Sequence, residues 1–181
     1  MGYSKHMIRR SSAAVVSLVV FAAAAASQNA QPNSTGTLQT TSGLGRKLYA
    51  SPDNDGSIEL ARKSLAADPK NVVLVLKLSK AQAAKRQYRE AVATCTAGLQ
   101  LAPTNADLYV ERGHRELGLR DFQAGQADLS RAVQLDPKNL DAQYHLGMAY
   151  YFLRDFGAAG QSFHRALDLA QNADSVIDCS N

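Results

Sequence analysis

A proline returns at a fixed interval of 34 residues, as Pro69, Pro103 and Pro137. Its neighbours return with it, in Asp68-Pro69-Lys70-Asn71, Ala102-Pro103-Thr104-Asn105 and Asp136-Pro137-Lys138-Asn139. Proline cannot continue a helix, so each tetrapeptide ends one helix and forces a short, stiff connection. The asparagine suits the N-cap of the next helix, where its side-chain oxygen can accept from free backbone N–H groups. The stretch 140–171 shows what lies between such connections: two helical halves that split at Leu153-Arg154-Asp155. The first carries Leu146, Gly147, Tyr150 and Tyr151 at helical spacing, the second Phe156, Ala159, Phe163 and Ala166. Either half has an apolar stripe too wide to stay in water alone, so each helix pair needs a neighbour.

The rest of the unit repeats as well. A small residue recurs in the first helix as Ser79, Gly113 and Gly147, and an aromatic opens the second as Tyr88, Phe122 and Phe156. Ala91, Gly125 and Ala159 follow three residues later, then Cys95, Leu129 and Phe163, then Gly98, Ala132 and Ala166. Each unit closes on an apolar pair: Leu99 with Leu101, Val133 with Leu135, Leu167 with Leu169. This pattern, with its period and closing proline, resembles the tetratricopeptide repeat family over Val72 to Gln171. The resemblance implies an all-α fold, a right-handed superhelical solenoid of antiparallel helix pairs. First helices would line its concave face and second helices its convex face, with stability drawn from nearest-neighbour interfaces. Departures occur where the family has a large aromatic: Val75 and Gln143 stand there, and Tyr109 alone keeps it. Arg112 and Glu116 replace the usual Leu and Tyr. Four residues apart on one helix face, they are expected to pair.

Ahead of the repeats, Met1 to Ala26 has Lys5, Arg9 and Arg10 and then an uncharged run of small and apolar residues. This is the pattern of a secretory signal peptide with cleavage after Ala26 or Ser27, starting at Met1 or Met7; the alternative is an uncleaved membrane anchor. The predicted organisation is a signal peptide over 1–26, a flexible polar linker over 27–56, and a lone capping helix or half-repeat over 57–71. Repeats over 72–105, 106–139 and 140–173 follow. Residues 174–181 form a short tail or begin a further helix capped by Asp174 or Ser175, as in a fragment of a longer array. Within the linker, Leu48 and Tyr49 could dock on the first helix. Export would place the mature protein in the periplasm or outside the cell, with no membrane contact unless the leader is retained.

The formal charge of +4 comes mostly from the leader, which holds three of the 20 basic residues and none of the 16 acidic ones. The remainder is almost neutral and has no basic stripe, which argues against nucleic acid. Cys95 falls at a core position, and Cys179 lies too far along the array for a disulfide with it. His114 and His145 face the groove one repeat apart, without Cys, Asp or Glu at metal-ligand spacing. No nucleophile elbow, phosphate loop, dinucleotide fingerprint or zinc-protease motif occurs. The sequence therefore points to no enzyme, cofactor or metal.

What remains is the groove. Helical spacing assigns Val73, Leu76, Lys77 and Lys80 to it from the first repeat, and Val110, Glu111, His114 and Leu117 from the second. Asp141, Tyr144, His145, Met148, Tyr151 and Phe152 come from the third. The partner-binding set is Val73, Leu76, Lys80, Val110, His114, Tyr144, His145, Met148 and Tyr151, since exposed aromatics with Met beside them suit a protein or peptide surface. Some relatives in the family clamp acidic C-terminal peptides with Lys and Asn. The corresponding places here hold Leu76, Lys80, Glu111, Asp141 and His145, so that clamp is not expected. The expected role is an exported interaction scaffold, the alternative a self-associating structural module.

Overall fold

The computed structural model describes residues 36–178, with side chains to residue 172. The leader, its two candidate starts, the first part of the linker and Cys179 lie outside the described residues. Seven helices follow a short hairpin among the described residues: α1 (Ser57–Ala67), α2 (Val72–Ala84), α3 (Tyr88–Leu101), α4 (Ala106–Leu119), α5 (Phe122–Leu135), α6 (Leu140–Phe152) and α7 (Phe156–Asp178). None of these helices is long and apolar enough to cross a membrane.

The helix starts are where the repeated asparagines put them. Asn71, Asn105 and Asn139 accept from Val73, Leu108 and Ala142 N–H at 3.1, 2.9 and 2.9 Å, filling donors that a helix start leaves open. Asp121 and Asp155 do the same for α5 and α7, accepting from Ala124 at 3.2 Å and Ala158 at 3.0 Å. Asp53 caps α1 through Ile58 and Glu59 N–H.

Each helix pair turns on an arginine. Arg86, Arg120 and Arg154, again 34 apart, take φ of 55°, 67° and 66°, the left-handed region that glycine occupies without strain. The next residue closes the turn: the N–H groups of Gln87, Asp121 and Asp155 donate to the carbonyls of Gln82, Glu116 and Tyr150 at 2.9–3.0 Å.

Packing is between neighbours. Val75, Cys95, Leu99 and Leu108 form one buried cluster across the first and second repeats. Leu117, Leu129, Leu146 and Ala149 form another across the second and third, and Ile58, Ala61 and Leu78 seat α1 on α2. The small residues set the separation of the helices. A Cβ on Gly113 would lie 2.8 Å from Leu129 and 3.1 Å from the carbonyl of Gly125; on Gly147 it would meet the Phe163 ring at 2.6 Å. First helices touch their counterparts in the next repeat, α2 on α4 and α4 on α6, and second helices hardly do. The array therefore curves with first helices on the inside.

Three expectations are overturned. The polar stretch is not a flexible linker throughout: β1 (Leu38–Thr41) and β2 (Lys47–Tyr49) pair antiparallel, with a bulge between Leu38 and Thr40. The bulge turns Gln39 inward, where it is fully buried. There Gln39 Oε1 accepts from Arg89 N–H at 2.9 Å, the cap that the side chain of Gln87 does not supply to α3. Arg89 Nε donates back to the Gln39 carbonyl, and Thr40 Oγ1 to the Leu119 carbonyl. Leu48 and Tyr49 accordingly face Leu117, Phe122 and Phe152 across a cleft, not the first helix. At the other end no further helix starts at Asp174 or Ser175; α7 runs unbroken over 23 residues. The reason is local: Gln171 stands where Pro69, Pro103 and Pro137 end the earlier helices.

Because the turn arginines hold strained backbone, Arg154→Gly is expected to stabilise the fold by about 0.5–1 kcal/mol. Urea unfolding followed by circular dichroism measures this as a higher midpoint at unchanged slope.

Candidate functional site

The inner face is built by α2, α4 and α6. Val73 is 71% exposed in the first turn of α2, and Lys77 and Lys80 are exposed along it. Leu76 turns partly inward onto the Val75–Leu108 cluster. Val110 and His114 are half-buried on α4. On α6, Tyr144, Tyr151 and Phe152 keep 48%, 56% and 42% of their surface in water. Met148 is half-buried against the Leu117–Leu146 cluster.

Aromatic contacts link the repeats here. The His114 and His145 rings lie 3.9 Å apart, Tyr144 sets its edge on His145 at 5.3 Å, and beyond it Tyr144 reaches Phe163 at 5.8 Å. His145 Nδ1 is 2.8 Å from the Asp141 carbonyl, a contact that requires the proton on Nδ1. Burial, with Arg115 and His145 beside it, pushes His114 down to about 3. His114 is therefore neutral at physiological pH and offers the groove a ring, not a charge.

Two residues assigned to this face are elsewhere. Leu117 is buried in the core. Glu111 is buried too, accepting from Ser79 Oγ at 3.2 Å and from Arg115 Nε and Nη2 at 3.0 and 3.2 Å. The Cys95 thiol donates to the same Ser79 oxygen and is pushed up to about 12 by burial, which leaves it protonated and unreactive. The expected Arg112–Glu116 pair is present as a long ion contact, and Arg112 has a second, closer carboxylate that the sequence did not indicate. Arg112 reaches across to α5 and forks onto Asp128 at 2.5 and 2.8 Å, leaving Glu116 at 4.0 Å. A planar guanidinium gains two parallel bonds there and one long contact along its own helix. Glu116, pushed up to about 7 by burial and by Asp128, stays partly protonated.

The remaining wall adds Phe122 and Phe156, which the groove assignment did not include, to Tyr151 and Phe152. Phe122 stacks on Phe152 at 4.8 Å, and Tyr151 touches both Phe152 and Phe156, so aromatics run along the helix-pair turns. Their recurrence at the opening of each second helix was the available signal. No group of three or more His, Cys, Asp or Glu gathers to hold a metal among the described residues.

Paired helices, a 34-residue period and inward-facing first helices decide the architecture. The array has the tetratricopeptide-repeat fold. Residues 110–174 match the family described as tetratricopeptide repeat. Among solved structures, a crystal structure of MamA is 29% identical with a TM-score of 0.58, covering 64% of this chain and 67% of that one. The chain spans about two thirds of the length of the MamA structures it matches. The Arabidopsis OM64 TPR domain is 28% identical with a TM-score of 0.54, covering 56% of this chain and 84% of that domain. The first TPR of Spaghetti (RPAP3), bound to an HSP90 peptide, has a TM-score of 0.55 and covers 58% and 83%; at 24% identity that likeness concerns the fold alone. No curated protein sequence matches the chain.

Two outcomes follow for tetratricopeptide repeats held together this way. Glu111→Ala strands the Arg115 guanidinium and is expected to cost roughly 3 kcal/mol in urea unfolding. His114, neutral when folded, takes up a proton when unfolded once the pH falls below about 6.5. Its contribution to stability is thus present above that pH and is lost as the pH drops toward 3. The melting temperature of the wild type should therefore fall more steeply between pH 7 and pH 5 than that of His114→Gln.

Proposed function

We propose that the chain is an exported protein-interaction scaffold whose concave groove holds a peptide or an extended protein segment. The reading is carried by the α6 surface, where Tyr144, Tyr151 and Phe152 stand half in water beside Met148. Aromatic and thioether side chains gathered on an inner face give a partner large contact areas at little cost in ordering. Val73, Leu76, Lys80, Val110, His114 and His145 continue that surface across the other two repeats, with lysines at one end and aromatics at the other. A domain of the same fold holds a peptide in the Spaghetti structure; here the partner is set by this chain's own groove. Export rests on the basic start and apolar run over 1–26 and makes the partner a protein of the periplasm or cell exterior. A retained leader would instead tether the groove to the membrane.

Self-association is the second reading, favoured by the exposed face of α7. Phe156 is 62% and Leu167 51% exposed there, a surface that a second copy could cover.

Site-specific photo-crosslinking in the native host, with the probe at Met148 and a control at His164, tests both. A discrete adduct from Met148 alone supports the groove, and mass spectrometry then names the partner. Adducts only to the protein itself support self-association. Tyr144→Ala with Met148→Ala is expected to weaken partner recovery about 10- to 100-fold. Recovery equal to wild type sinks the groove. The mature mass of the recovered protein reports whether the leader is removed after Ala26 or Ser27.

A further inference from the structure

A cleft of about 600 Å³ lies between the hairpin and the helix-pair turns. Its apolar wall is Leu117, Phe122 and Phe152, faced by Leu48, Tyr49 and Pro52. Four cations line it as well: Arg46 and Lys47 from the hairpin, Arg86 and Arg120 from the turns after α2 and α4. No carboxylate lines it, and none of the four makes an ion pair among the described residues. Arg86 Nη2 donates to Ser51 Oγ, and the Arg120 guanidinium lies over the Phe122 ring at 5.2 Å. The neighbouring acids are engaged elsewhere, Asp121 as the cap of α5 and Asp55 with Lys85 at 2.6 Å. Arg86 and Arg120 also keep a backbone conformation that glycine would hold without strain.

We propose that this cleft is a second binding site, beside the groove and sharing Phe152 with it, for an acidic peptide segment that inserts one apolar side chain. Charge complementarity selects the occupant. A small inorganic anion would leave the two phenylalanines unused. A single-headed amphiphile brings one charge to four cations. A peptide with several carboxylates around an aromatic residue satisfies both the rim and the wall. The chain's own first 35 residues contain no Asp or Glu and cannot supply those charges. Of the side chains on which the groove reading rests, Phe152 lines the cleft as well, whereas Tyr144, Met148 and Tyr151 do not. The two surfaces adjoin at Phe152, which Tyr151 touches, and at the buried Leu117 cluster on which Met148 packs.

Fluorescence anisotropy on the full chain tests this, with a labelled probe of one phenylalanine flanked on each side by two glutamates. Saturable binding that weakens with added salt is expected. Arg120→Gly removes a guanidinium while relaxing its strained turn, and Arg46→Gln removes another from the hairpin; each should weaken binding about tenfold. The groove variant Tyr144→Ala with Met148→Ala should bind the probe like wild type, so this proposal and the groove can fail separately. The proposal is overturned if the probe does not bind or if both charge variants bind it unchanged. It also falls if the phenylalanine can become alanine without loss, or if laurate or oligothymidylate displaces the probe at equal concentration.

Discussion

No helix pair in this chain can bury its own apolar surface, and the architecture follows from that shortage. A pair such as α4 and α5 closes at Gly113 and Gly125, where a Cβ on Gly125 would lie 2.7 Å from Leu117 and 3.0 Å from the Gly113 carbonyl. That proximity brings Leu117 and Leu129 together, but their cluster is completed only by Leu146 and Ala149 of the next repeat. Each interface is thus half supplied by each neighbour, and the core is a series of shared clusters.

Polar contacts fix which neighbour sits where. Glu111 is bound by Ser79 of the preceding repeat and by Arg115 of its own helix, while Arg112 fastens α4 to Asp128 on α5. Apolar packing tolerates sliding; a buried carboxylate with fixed donors does not. The same arrangement withdraws Glu111 from the inner face and leaves Val110 and His114 as its middle. The groove in the second repeat is therefore less acidic than its sequence reads.

Much of this was legible in the chain. The prolines gave the period, the asparagines the caps, and the small residues the close approaches. Three features were not. Glu111 and Arg112 are adjacent, and helical spacing alone cannot say which of two neighbouring charges turns inward when each has a partner in another helix. The turn arginines carry no local sign of a left-handed backbone, because glycine or asparagine is the usual marker. The hairpin is short and polar, and its one buried residue is a glutamine inside a bulge. Composition reads such a stretch as linker, although its Ser-Gly and Gly-Arg steps between two Thr/Leu/Tyr-bearing runs fit a turn. Of the groove residues, the aromatics of α6 could be read from the repeat pattern, whereas the ring contact between His114 and His145 depends on how far apart the repeats sit.

The hairpin has a kinetic consequence. Arrays of this kind hold mostly local contacts, yet Gln39 is bonded to Arg89 and Thr40 to Leu119, 50 and 79 residues further on. As the chain is synthesised, β1 and β2 exist long before the turns that receive them. They must wait, unpaired with their final partners, until the second repeat has formed, and docking them closes a loop around the whole first repeat. The earliest described residues to be made are among the last to find their place, and once there they tie the first two repeats into one cooperative unit.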